Sequence, residues 1–172
     1  MASCDANKNC CFIGHRDVVL SPDSLRRLTK LIEGLIVDEG VNVFLFGSRS
    51  AFDDTCYGIV REFRIKYPEI ILVAYTCRNE CVYKFNDKKP SGLGKIKCYD
   101  EEIRSERFWG KAAYINRNKA MIDAADLCVF YYDENKNSRN NPNRKQVKTG
   151  TEIAFEYAKK KNAAIINVAV LG

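Results

Sequence analysis

The stretch Glu69-Ile70-Ile71-Leu72-Val73-Ala74-Tyr75 runs apolar from its second residue onward, with no polar residue on alternate positions. A strand with one wet face alternates. An unbroken run of this length, preceded by the helix-closing pair Tyr67-Pro68, predicts a strand covered on both faces, as in a parallel sheet. Parallel neighbours need long crossovers, so helices are expected on either side of it.

They are found there. Residues 51–66 predict a helix that Tyr67-Pro68 closes, preceded by a strand at 41–46 that Gly47-Ser48 stops. Before that strand, Ser21-Pro22-Asp23 has the chemistry of a helix start: a capping hydroxyl, a proline in the first turn and an acid at the positive end. Leu25, Leu28, Leu31, Ile32, Leu35 and Ile36 then recur at helical spacing until Gly40. A first strand, Cys10-Cys11-Phe12-Ile13, ends at Gly14. Beyond the opening run, a helix is predicted over 112–125, a strand over 127–132, a helix over 149–161 and a strand over 163–168. The alternation predicts a Rossmann-like α/β three-layer sandwich with a mostly parallel sheet of about five strands. Residues 77–104 carry no clear period. The aromatic-rich segment 77–110 reads as cover for the sheet edge more readily than as a lid stacking a base.

A chain of 172 residues suits one domain, expected over 1–172 with a flexible N-terminus at 1–9, and hides roughly 70% of its unfolded surface without staples. The net charge is +6, and the stretch from Glu134 to Lys148, with Lys136, Arg139, Arg144 and Lys145 between, carries four of those charges. One basic loop at 133–148 on a nearly neutral body is not the broad basic face that nucleic acid requires. The eight cysteines are expected to be reduced: the first residues lack the charged start and apolar run of a secretory leader, and Cys10, Cys11 and Cys128 sit in strand patterns as small hydrophobes. A cytoplasmic protein fits this usage. No apolar run approaches the ~20 residues of a membrane span, so no membrane partner is expected. Cys77, Cys81 and Cys98 lack tight Cys-x-x-Cys pairing, and no metal site or cofactor is expected.

In an open parallel sheet, ligands bind beyond the carboxyl ends of the strands. Four places follow. After the first strand, Gly14-His15-Arg16 offers close backbone approach, the single histidine of the chain and a planar cationic fork. After the second, Gly47 and Ser48 enter a helix whose first turn holds Asp53, which either meets a ribose hydroxyl or caps the helix. Before the fourth, Arg117 and Asn118 either grip a phosphate or sugar edge or lie on a solvated helix face. After it, Thr149-Gly150-Thr151-Glu152 opens a helix with the makings of an anion site. Glu152 is there either an acid/base group or half of a capping box.

In this order the four places resemble the SLOG superfamily, the Rossmann-like group that joins the DNA-processing DprA proteins to the lonely-guy nucleotide phosphoribohydrolases. Cys10-Cys11-Phe12-Ile13-Gly14-His15-Arg16 looks like the strand-one signature of its small stand-alone bacterial members. Arg117-Asn118-Lys119-Ala120-Met121-Ile122-Asp123-Ala124-Ala125-Asp126 and Thr149-Gly150-Thr151-Glu152-Ile153-Ala154 resemble two further segments, the latter the tail of the phosphate loop. The resemblance implies a nucleotide or nucleotide-derived ligand, sensed or bound at the strand ends. It also implies the alternative of a nucleoside-monophosphate N-glycosidase using Glu152 and Arg117, and thirdly nucleic-acid binding through the basic loop. Relatives often pair, so it admits a homodimer. Two departures stand out: Lys145-Gln146-Val147-Lys148 replaces Pro-Gly-Gly, and Phe46-Gly47-Ser48-Arg49 replaces a Gly-Gly turn. Binding carries across such changes more readily than turnover does.

Overall fold

The structure, a computed structural model, describes residues 7–47, 50–88, 96–136 and 148–170. Its centre is a six-stranded sheet ordered β6-β3-β2-β1-β7-β8 and parallel at every pairing. The strands are β1 (Asn9–Gly14), β2 (Val43–Gly47), β3 (Ile71–Cys77), β6 (Glu101–Ser105), β7 (Leu127–Tyr131) and β8 (Ala164–Asn167). β4 (Tyr83–Lys84) and β5 (Cys98–Tyr99) form a separate two-stranded ribbon.

Strand alternation splits the core in two. Phe12, Phe44, Phe46 and Leu72 face one way and pack on α1 (Pro22–Val37) and α2 (Ala51–Lys66). Cys11, Leu45, Val73 and Phe130 face the other way and pack on α3 (Gly110–Ala124) and α4 (Gly150–Lys160). Each fully buried phenylalanine contributes roughly 1.5–3 kcal/mol relative to exposure. The helix starts follow the sequence: Ser21 accepts the Ser24 N–H at 3.1 Å, Pro22 is the first helical residue, and Gly40 takes the left-handed conformation beyond the end.

The sheet agrees with the expected fold: its six strands include β6, which lies within the stretch that has no readable period. β6 is an edge strand, largely exposed, and its Glu101-Glu102-Ile103-Arg104-Ser105 hides little apolar surface. One expectation is corrected: residues 7–9 are tied down rather than flexible, since the Lys8 carbonyl accepts the Asn42 and Val43 N–H groups and Asn9 opens β1. Of the basic segment, the two ends are described. Residues 134–136 make a short 3-10 turn and Lys148 pairs with Glu156 at 2.5 Å, while residues 137–147 lie outside the described residues. The seven described cysteines are free thiols, six of them buried. No helix among the described residues is long and apolar enough to cross a membrane.

Candidate functional site at the strand ends

The chain steps from β1 to β2 on one side, while β7 lies on the other side of β1. This reversal is the switch point of the sheet, where a crevice opens beyond the strand ends. A cavity of about 660 Å3 occupies it, lined by Gly14, His15, Arg16, Gly47, Asp53, Arg117, Asn118, Thr149, Gly150 and Thr151 among others. All four segments expected from the sequence therefore converge. Ser48 lies outside the described residues, and Glu152 is not in the lining.

Gly14 lines the cavity and also serves packing. A Cβ there would fall 2.5 Å from the Phe52 ring, so the glycine lets the first turn of α2 seat against β1. His15 is buried, and its Nε2 accepts the Asp133 N–H at 3.1 Å, which puts the ring proton on Nδ1. The ring leans on Tyr132 and joins the loop after β1 to the loop after β7. The Arg16 carbonyl accepts the Ala51 N–H at 2.9 Å, fixing this loop to α2 and leaving the exposed guanidinium at the cavity mouth.

Asp53 is not the cap of α2. Ser50 is, accepting the Asp53 N–H at 3.0 Å. The Asp53 carboxylate turns back beneath the cavity: Oδ1 accepts the Gly47 N–H at 3.0 Å, and Oδ2 stands 3.6 Å from the Lys97 ammonium, an ion pair too long for a hydrogen bond. Burial pushes its pKa up to about 7, against the opposing pull of Lys97, Arg117 and the Gly47 N–H.

Arg117 does not sit on a solvated face. Ala113, Arg117 and Met121 recur every fourth residue on the buried side of α3, and the guanidinium crosses the end of β2. A Cβ on Gly47 would come within 3.1 Å of its Nε, so Gly47, which also lines the cavity, makes room for arginine. Nη1 donates to Glu80 Oε1 at 3.0 Å and Oε2 at 3.2 Å, whereas Nε is buried with no hydrogen-bond partner among the described residues. Glu80, only 4% exposed, accepts the Cys77 N–H at 2.8 Å through the turn that ends β3. It has no place among the residues expected from the sequence. The one available signal was its position immediately after a strand.

On the far wall, Thr149 caps α4 by accepting the Glu152 N–H at 3.1 Å. Gly150 and Thr151 present the helix start to the cavity, and a Cβ on Gly150 would meet nothing within 4 Å. Glu152 is buried in the first turn of α4, at the third position of the capping arrangement. Of the two residues assigned to N-glycosidase chemistry, only Arg117 reaches the cavity lining. Among the described residues no cluster of His, Cys, Asp or Glu is placed to hold a metal ion. Trp109, in the aromatic-rich segment, is 64% exposed beneath the Arg78 guanidinium at 4.1 Å and does not line this cavity.

A parallel sheet flanked by helices, with a crevice at its switch point, defines an α/β protein of the Rossmann-like class. The model of the YspA SLOG family matches residues 26–168, and the chain belongs to that family. Two solved structures share the fold. One is TM1055, a structural-genomics target: 15% identity, TM-score 0.50, covering 92% of this chain and 72% of that one. The other is DNA processing protein A from Helicobacter pylori, described for its single-stranded DNA binding: 16% identity, TM-score 0.54, covering 94% of this chain and 65% of that one. No curated protein is similar enough to match.

Proposed function

We propose that the chain binds a nucleotide or nucleotide-derived ligand in the strand-end cavity, as a sensor or binding protein. The observation that carries this is the pairing of two anion-seeking elements across one crevice. Arg117 is locked in place by Glu80 on one side, and the start of α4 at Gly150 and Thr151 stands on the other. A phosphate between them would meet a fixed cation and free backbone N–H groups. Asp53, which lines the same cavity, suits a sugar hydroxyl rather than a second phosphate. The volume lies within the ~300–1,000 Å3 range of small-molecule sites. Seven free thiols accord with a reducing, cytoplasmic setting.

Binding is favoured over N-glycosidase turnover because Glu152 is buried in the first turn of α4, outside the cavity lining. Incubation with the nucleoside monophosphates separates the two readings. Thermal stabilisation without release of free base is expected. Base release that disappears in Glu152→Gln would replace the sensor with the hydrolase, and neither stabilisation nor release would remove both.

A further inference from the structure

Beside the strand-end cavity lies a second of about 540 Å3, which shares Arg16 and Ser50 with it. Its outer wall is Cys81, Tyr83, Lys97 and Tyr99, all from the segment between β3 and β6. That wall is clamped to the body. The Tyr57 hydroxyl accepts the Cys98 N–H and donates to the Cys98 carbonyl, each at 2.7 Å, and Arg64 holds Asp100 by two hydrogen bonds at 2.9 and 2.7 Å.

The two cavities differ in chemistry. The first offers a locked arginine and a helix start. The second offers the half-buried Tyr83 ring and a Lys97–Asp54 ion pair, surroundings for a flat or hydroxylated ring more than for a phosphate. Two buried polar atoms, Asp53 Oδ2 on a residue of the first cavity and the Tyr99 hydroxyl on a residue of the second, have no hydrogen-bond partner among the described residues. Arg16 stands where the cavities meet, exposed and forming no ion pair among the described residues. Either volume alone is enough for one small molecule, so a mononucleotide leaves the second unexplained.

The geometry points to a ligand with two arms: a nucleoside 5′-diphosphate whose outer phosphate carries a second ring-bearing group, of the dinucleotide or nucleotide-sugar class. The first phosphate lies between Arg117 and the start of α4, the second at Arg16, and the second ring against Tyr83. This rests on the first cavity being a nucleotide site and adds the other half of the ligand.

Calorimetric titration with AMP, ADP and diadenosine diphosphate, alongside the guanine, cytosine and uracil counterparts, tests it. The dinucleotide of the preferred base is expected to bind at least tenfold more tightly than its diphosphate. Cys81→Trp, which fills the second cavity from an exposed position, and Tyr83→Ala are expected to cut that advantage below threefold while the diphosphate affinity holds. Equal affinity of dinucleotide and diphosphate, or an advantage that survives Cys81→Trp, overturns the two-arm ligand and leaves the mononucleotide site standing. Failure of every nucleotide to bind overturns both.

Discussion

At the scale of single residues, the site is built from side chains whose first partners are protein atoms. Gly14 is filled by Phe52 and Gly47 by Arg117, so both glycines serve close packing of the chain on itself. Gly14→Ala is therefore expected to destabilise by about 1–3 kcal/mol through overpacking, read by urea denaturation. An unchanged midpoint would mean that Phe52 yields freely. Asp53 gives a pH dependence. Its folded pKa, about 7, lies above the ordinary carboxylate value, so its contribution to stability is fully present below about pH 4 and is lost as the pH rises through 7. Asp53→Asn keeps an oxygen for the Gly47 N–H and removes the titration. Its stability relative to the native chain is expected to grow with pH across that window, by at most about 1.4 kcal/mol per pH unit. A constant difference from pH 4 to 8 would show that Lys97 and Arg117 hold the carboxylate ionised throughout. Glu80 acts through Arg117. Glu80→Ala leaves a buried guanidinium unpaired, and a loss of about 3–5 kcal/mol is expected, with Glu80→Gln milder because its amide oxygen still accepts from Nη1. Equal losses in the two variants would count against the ion pair.

At the scale of elements, what was legible depended on burial. β1, β2, β3, β7 and β8 announced themselves by apolar runs, and α1 by its cap, proline and spacing. β6 did not, because an exposed edge strand has no apolar face to display. The ribbon of β4 and β5 did not either: two residues per strand carry no period, and Tyr99 is buried by long-range contacts with Phe46 and Tyr57. Asp53 and Glu152 both read as capping residues or ligand groups, and the structure divides them. Ser50 caps α2 and frees Asp53 for the cavity, whereas Thr149 and Glu152 share the start of α4. Thr149→Ala is expected to cost about 1 kcal/mol through the lost cap, measured by thermal or chemical denaturation. No loss would mean that another group satisfies the Glu152 N–H.

At the scale of the whole molecule, the strand order decides where function sits. The reversal at β1 and β7 gathers segments more than a hundred residues apart, from Gly14 to Gly150, into one crevice. That convergence was legible in the sequence, because the rule needs only the ends of strands and the local chemistry there. Glu80 and the second cavity were not, since both depend on how a segment without period folds back on the sheet. The central claim is that the crevice holds an anionic ligand at the start of α4, and Gly150 tests it without touching the core. A side chain there points into open space, the backbone is not left-handed, and an acid at the first helical position suits the dipole. Calorimetric titration of nucleoside monophosphates into the native chain and into Gly150→Asp is the measurement. Saturable one-to-one binding that weakens at least tenfold in Gly150→Asp, with its melting temperature kept, is expected, and Gly150→Ala should stay near native. An affinity unchanged by the added carboxylate would contradict an anion site at this helix.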